Sequence, residues 1–410
     1  MAVHRPPAGA RDLLPTDVAQ KVWIERRVRH VFEGWGYHRI ITATLERLDT
    51  LLAGGAVDGE TVMQVADEEG DRLGLRPELT ASIARAAVTR LELDSGPERL
   101  FYNANVFRRY VNSPHGQQHE FYQAGVELLG AGGLLADAEI LLLLADSVRS
   151  LGLDRPWLLL GEANLTRSLL DPFPPDLRSR VRRALANLDR VALEALDLSP
   201  ALRDRALFAF DLRGRPQDVL SKLGSLDLDG KAKSALDNLK SLIDLLEDCS
   251  DRDFAAQTIV DLSSIQTFDY YTGIVFKLVS ATESGLEIIG RGGRYDNLLE
   301  LYHPQKKSYP GIGFVLDIEA LHQVLLPTGK LPPRQPPSHW LVVPKSDRAY
   351  TAAFAYANKL RQSTHIVRVE LADNDPENGD RLRDTARHRG IVQIAWVDTD
   401  GTVKIERLRS

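Results

Sequence analysis

The chain has 410 residues, enough for two or three domains with cores of their own. Apolar residues make up 43% and charged residues 26%, ordinary for a globular protein, and a net charge of −6 gives no bulk attraction for nucleic acid or acidic lipid. Cys249 is the single cysteine, which excludes an internal disulfide and a thiolate metal cage, and it is expected to be partly buried.

Residues 1–7, Met-Ala-Val-His-Arg-Pro-Pro, lack the apolar core of a signal peptide. No run reaches the roughly 18 apolar residues of a membrane span. Even the densest patch, Leu141 to Leu144, is flanked by Asp137, Glu139 and Asp146. The expectation is a cytoplasmic protein with no membrane contact.

Thr16 is read as the N-cap of a first helix, with Pro15 stopping any earlier one. Val18, Val22, Ile24, Val28, Val31 and Phe32 follow at helical spacing until Gly34 and Gly36. Arg76-Pro77 breaks the chain before an alanine-rich helix from Thr80 to Arg90. Phe101 to Val106 and Glu120 to Leu129 read as strands around a polar loop with Asn112, Ser113, Pro114 and Gly116. Residues 137–150 read as a helix. From 172 to 253 strand signals vanish, and short amphipathic helices form an insertion. Strand character returns at 258–280, 286–290 and 311–316. Residues 326–338 hold five prolines, a linker composition because proline lacks an amide proton and fixes its φ. Beyond it, strands at 340–343, 366–371, 391–397 and 402–405 alternate with helices at 350–360 and 379–389, a small α/β domain.

Gln123 and Glu127 share one side of a strand, and Gly125 between them leaves room for a ligand. A carboxylate and an amide there can hold an amine or an imidazole N–H. A solvated sheet face is the competing reading. Glu78 and Thr80 precede a helix and read first as end-capping residues. Tyr270 and Tyr271 are adjacent on a strand, so they point to opposite faces, as packing residues commonly do. Gly292-Gly293 permits a turn, a bulge or close backbone approach. Arg108 and Arg109 are candidates to bind phosphate or carboxylate, with a solvated edge as the alternative. His115 and His119 have the spacing of metal ligands on a helix, but Pro114 and Gly116 argue against a helix, so no metal site is expected.

The order of these stretches closely resembles the histidyl-tRNA synthetase family over residues 9–325. Gly9-Ala10-Arg11-Asp12-Leu13-Leu14-Pro15 comes first, then Leu75-Arg76-Pro77-Glu78-Leu79-Thr80, Phe107-Arg108, Phe121-Tyr122-Gln123 through Glu127, Phe268-Asp269-Tyr270-Tyr271, and Gly292-Gly293-Arg294-Tyr295-Asp296. The resemblance implies an α+β fold: a class II aminoacyl-tRNA synthetase-like antiparallel sheet of six or seven strands, flanked by helices, with the helical insertion and a shortened anticodon-binding-like domain at 339–410. It implies a histidine pocket in which Glu78, Thr80 and Gln123 hold the amino acid's backbone groups. Glu127 and Tyr271 would lie near the imidazole, with Tyr270 and Tyr295 beside them.

The ATP side departs from the family. Tyr110 replaces an acid, Gln266 replaces the catalytic arginine, and the final motif ends Glu319-Ala320 where the family has Glu-Arg. Ala43 stands at a proline position of the dimer motif. Adenylate formation needs cations where charge develops, and losing one such group typically costs about 10²–10³ in rate. This pattern resembles the synthetase-like regulatory subunits of ATP phosphoribosyltransferase. That resemblance implies a non-catalytic chain serving histidine biosynthesis. It implies a short catalytic subunit as partner, free histidine as feedback effector, and a self-dimer within a hetero-octamer. No cofactor, metal or nucleic acid is expected. An active histidyl-tRNA synthetase and a stand-alone histidine-binding module remain the alternatives.

Overall fold

The computed structural model describes residues 4, 6–55, 57–67, 70–109, 118–153, 155–249, 252–263, 270–283, 285–363, 365–372 and 379–408. The chain divides into two compact units, residues 1–332 and 333–410. In the first, strands run in chain order β1 (His38–Arg39), β2 (Leu45–Arg47), β3 (Met63–Ala66), β4 (Arg72–Leu75), β5 (Glu98–Phe107) and β6 (Glu120–Leu129). They continue with β7 (Trp157–Glu162), β8 (Arg213–Gly214), β9 (Thr258–Asp261), β10 (Ile274–Thr282), β11 (Gly285–Arg294) and β12 (Gly311–Asp317).

Nine of these strands form one sheet in the order β1-β5-β6-β12-β11-β10-β7-β9-β8. The six central strands, β5 to β7 in that order, pair antiparallel throughout, as expected of the class II fold. At the edges the sheet becomes mixed: β1 lies parallel to β5, β9 parallel to β7, and β8 antiparallel to β9. The expected six or seven strands thus become nine. β1 and β8 have two residues each, too few to show a period. The expected run at 258–280 is two strands, β9 and β10.

Alternation gives the sheet two different faces. Val126, Leu128, Phe276, Leu278, Phe314 and Leu316 bury on one face against Ile24, Val28 and Phe32 of helix Pro15–Gly34. Leu141 and Leu144 of helix Gly133–Ser150 and Leu321 and Leu325 of helix Ile318–Leu325 complete that layer. Phe32 sits 5.8 Å from both Phe101 and Phe314, ring to ring. The opposite face carries Gln123 and Glu127 of β6, with Lys277 of β10, Arg291 of β11 and Gly313 of β12 in register.

The first helix starts differently from the expectation. Leu14 is its N-cap and Pro15 its first residue; the Asp17 carboxylate accepts from the Leu14 N–H at 3.0 Å. Proline suits that place because its φ is preset and the missing N–H would have had no helical partner. Strands β2, β4 and β3 form a separate small sheet that carried no clear sequence signal. From β4 the chain enters Arg76, which is buried and donates to the carbonyls of Thr42, Ala43 and Asn105. The helix Thr80–Arg90 follows, with the expected bounds.

Among the described residues the insertion holds helices Pro175–Ala186, Arg190–Glu194, Pro200–Phe210, Pro216–Gly224, Gly230–Cys249 and Arg252–Ala256, interrupted only by β8. Cys249 is exposed rather than partly buried: it ends its helix beyond the apolar stripe that closes at Leu246. Among the described residues no helix is long and apolar enough to cross a membrane.

In the second unit, β13 (Trp340–Pro344) pairs in parallel with β14 (Val369–Leu371) and β15 (Gln393–Val397), and β16 (Val403–Arg407) runs antiparallel to β15. Val342 buries with Ala353 and Ala357 of helix Tyr350–Arg361, while Leu341 and Val343 bury with Ala386 of helix Gly379–His388. The expected strand at 366–371 shrinks to three residues, and Ile366 is exposed.

Phe32→Ala should destabilise the chain by about 3–5 kcal/mol through the cavity it leaves between helix and sheet. Denaturant unfolding of the two proteins checks this; a loss below about 1 kcal/mol would mean the contact is not part of a rigid core.

Candidate functional site

The polar face of the sheet floors a cavity of about 520 Å³. It gathers all seven expected pocket residues, Glu78, Thr80, Gln123, Glu127, Tyr270, Tyr271 and Tyr295, together with Arg108. Glu127 lines it and is 2% exposed. One carboxylate oxygen accepts from the Thr80 hydroxyl at 2.7 Å, and the other accepts from the Tyr295 hydroxyl. Directly across the ladder stands Gly313, where a Cβ would fall 2.1 Å from the Glu127 carboxylate. A glycine is required there so that the acid can lie flat along the sheet.

Glu78 turns out to do the capping itself. Its carboxylate accepts from the backbone N–H of Thr80 at 2.5 Å and of Ala81 at 3.0 Å. Thr80 is the helix's first residue, and its hydroxyl is spent on Glu127 instead. Gly125 does not leave room for a ligand. The Tyr102 ring fills that place, its hydroxyl 2.4 Å from where a Cβ would be. Tyr270 and Tyr271 are not on a strand, since β10 begins at Ile274; both therefore reach the same cavity. Their rings meet edge to face at 4.8 Å, and Tyr270 stacks on Tyr295 at 5.5 Å. Gly293 lets the Tyr271 ring lie against β11.

Burial sets the electrostatics. It pushes the Glu127 carboxyl up to about 8, although the Tyr295 and Thr80 hydroxyls oppose the shift, and the nearby Glu78 adds to it. Burial also raises Glu78, against the two backbone N–H groups. The Tyr271 hydroxyl is pushed up to about 12, again chiefly by burial. Two acids facing one cavity favour an occupant that brings positive charge or N–H donors. The Gln123 amide nitrogen, on a side chain 2% exposed, has no hydrogen-bond partner within the chain. A buried donor of that kind is satisfied by a ligand or a water.

Arg108 lines the same cavity; its Nε donates to the Pro77 carbonyl at 2.9 Å. Arg109 lies apart, its backbone N–H bonded to the Thr61 carbonyl. The His119 ring contacts the Arg108 carbonyl through Nδ1 at 2.9 Å. Among the described residues no group of three or more acidic, histidine or cysteine side chains gathers to hold a metal. Ala320 is buried in the main core, its N–H donating to Asp317 Oδ1 at 3.0 Å. The neighbouring Glu319 accepts from the Tyr122 N–H, and burial pushes it up to about 7. Tyr110, Asn112, Ser113, Pro114, His115, Gly116, Gln266, Phe268 and Asp269 lie outside the described residues.

Sequence reasoning missed Tyr102, Lys277 and Arg291, which also line the cavity. Period-two alternation was the available signal: Arg291 is two residues before Gly293 and so shares its face.

A fold with a central antiparallel sheet and an acid-and-tyrosine pocket on its open face defines a histidyl-tRNA synthetase-like protein, and the family model described as histidyl-tRNA synthetase matches residues 9–321. A solved histidyl-tRNA synthetase from Nostoc sp. shares the fold with a TM-score of 0.77 over 99% of this chain and 97% of that one, at 18% identity. A solved structure from Bacillus halodurans, described as an ATP phosphoribosyltransferase regulatory subunit/histidyl-tRNA synthetase, superposes with a TM-score of 0.78 at 26% identity, covering 97% of each chain. The ATP phosphoribosyltransferase regulatory subunit of Nostoc punctiforme is 58% identical over 99% of this chain and 100% of its own length. The chain belongs to the family of ATP phosphoribosyltransferase regulatory subunits.

Glu127 offers a test independent of any ligand. Its folded value, about 8, lies above the ordinary 4.5, so the folded chain holds the proton more tightly than the unfolded chain. The resulting stabilisation is complete below the unfolded value and is lost as pH rises through the folded one. Glu127→Gln cannot ionise. The variant should therefore gain in melting temperature relative to wild type between about pH 5 and about pH 9. A pH-independent difference would show that Glu127 is ionised in the folded chain throughout.

Proposed function

We propose that this chain is the histidine-sensing, non-catalytic partner of a short ATP phosphoribosyltransferase catalytic subunit, required for its activity, in the cytoplasm. The catalytic subunit joins ATP to phosphoribosyl pyrophosphate, and this chain makes that step responsive to the end product of the pathway. The assembly would contain a self-dimer of this chain within a hetero-octamer. The observation that carries the reading is the cavity itself: the buried Glu127, the half-buried Glu78, three tyrosines and an unpaired Gln123 amide around one face of the sheet.

Free histidine matches these groups. Its ammonium has an anionic partner in Glu78, and its carboxylate can accept from the Gln123 amide. An imidazole N–H can donate to Glu127, with the Tyr271 ring alongside. The buried Ala320, where the resemblance to the synthetases implies a cation, supports the loss of adenylate chemistry. Histidine can inhibit only by binding one state of the assembly better than another. The pocket is therefore the sensor, and the catalytic subunit supplies the output.

Glu127→Ala should weaken histidine binding by about 1–3 kcal/mol, the cost of leaving a buried hydrogen-bonding group without its partner. In the reconstituted transferase the variant should be less sensitive to histidine while its uninhibited rate stays near wild type. A wild-type inhibition curve would place the effector site elsewhere. Separately, the isolated chain should show no histidine-dependent ATP–pyrophosphate exchange. Exchange above background in protein free of contaminating synthetase would restore the synthetase reading.

A further inference from the structure

We propose that Asn164 and Arg167 are positioning residues of this pocket. From outside the cavity they hold the backbone of the tyrosine turn, and so fix where the Tyr271 ring stands against the ligand. The inference deepens the reading of the cavity as a histidine sensor and rests on it for the ligand. Residues 270–273 precede β10, so their carbonyls lie outside the ladder that pairs backbone groups along a strand. Three of those carbonyls are met instead by the first turn of one helix, Ala163–Leu170, which leads from β7 into the helical insertion. The Ala163 N–H donates to the Gly273 carbonyl at 2.9 Å, the Asn164 amide donates to the Thr272 carbonyl at 2.8 Å, and the Arg167 guanidinium donates to the Tyr271 carbonyl. Arg167 also donates to Asn164 Oδ1 at 2.8 Å, so the two side chains act as one clamp.

Neither Asn164 nor Arg167 lines the cavity, but the ring they place does. Tyr271 packs against the apolar cluster behind the pocket and against that of the insertion, to which Ala163 and Leu170 belong. Its ring meets Tyr270 at 4.8 Å, Tyr270 stacks on Tyr295 at 5.5 Å, and the Tyr295 hydroxyl is bonded to Glu127. A displaced Tyr271 would therefore disturb the ring beside the imidazole and, through two further rings, the acid that accepts from it. A side chain keeps a precise place only when the groups behind it are themselves held. The rest of the turn has other anchors. The Thr272 N–H donates to the Arg294 carbonyl at 2.7 Å, and the Thr272 hydroxyl accepts from the Asp296 N–H at 2.8 Å. Removing the clamp thus leaves Thr272 and Gly273 tied while the Tyr271 carbonyl loses the guanidinium, so the effect concentrates on one ring.

The test is a double-mutant cycle, read by titration calorimetry of the full chain with histidine. Arg167→Gln and Asn164→Ala should each weaken histidine about fivefold or more. Arg167→Lys, which keeps a donor for the Tyr271 carbonyl, should recover most of that loss. In a Tyr271→Ala background, where the positioned ring is gone, Arg167→Gln should change the Kd by less than about twofold. The same loss in both backgrounds, or wild-type affinity in both single variants, overturns the inference. A second readout needs no ligand. In chains labelled with fluorotyrosine, the fluorine resonance that Tyr271→Phe removes should be displaced by Arg167→Gln and by Asn164→Ala, while that of Tyr102 stays in place. An undisturbed Tyr271 resonance in both variants overturns the inference as well. A third readout uses wild type alone: histidine should slow amide hydrogen exchange in residues 165–170, because the coupling is reciprocal, and unchanged exchange there counts against the clamp. Wild type that binds no histidine, with a displaced Tyr271 resonance in the variants, removes the histidine reading and leaves the positioning role standing.

Discussion

A carboxylic acid held in the dry middle of a β-sheet is the constraint on which the rest of this structure depends. Glu127 is buried, and a buried acid is tolerated only when its oxygens are matched by donors. Those donors come from distant parts of the chain. The Thr80 hydroxyl arrives at the start of a helix that Glu78 caps. The Tyr295 hydroxyl arrives from the end of β11. The Arg76 guanidinium ties the chain just before that helix to three backbone carbonyls. Across the ladder, Gly313 has no side chain to collide with the acid. The stretches around Thr80, Glu127 and Tyr295, far apart in the chain, are therefore spatial neighbours around one acid.

The sheet divides its tasks between its faces. One face packs against three long or amphipathic helices, and the other carries a second apolar cluster in which Leu100 and Tyr102 of β5 pack with Ile83 and Ala87 of the helix Thr80–Arg90. Held between these cores are groups that contribute little to stability: an unpaired amide, and acids whose protonation burial has shifted. Such groups persist where the remaining structure is stable enough to hold them. The same scaffold serves proteins named as synthetases and proteins named as regulatory subunits, so the difference has to be sought in individual side chains.

Much of this was legible in the sequence because periodicity and motif order report on long elements. The helices Pro15–Gly34 and Thr80–Arg90, the strand β6 and the antiparallel centre of the sheet all carry such a signal. The seven pocket residues were legible from the order of the motifs, although spacing alone left Gln123 and Glu127 open to a solvated-face reading. What was not legible has physical reasons. Strands of two to four residues have no measurable period, so the edges of the large sheet and the small sheet carry no readable signal. A strand at Tyr270-Tyr271 would send the rings to opposite faces, whereas the turn before β10 brings both into one cavity. Gly125 was read as vacant space because the chain alone does not reveal that Tyr102, on the neighbouring strand, occupies it.

Ala320 limits what one substitution can achieve. Its side chain is buried among the apolar residues that join helix Ile318–Leu325 to the sheet. An arginine placed at that position would have to drive a long cation into a packed core, at a cost of overpacking and desolvation. A core sealed over a methyl group thus does not admit a cation by a single exchange of side chain.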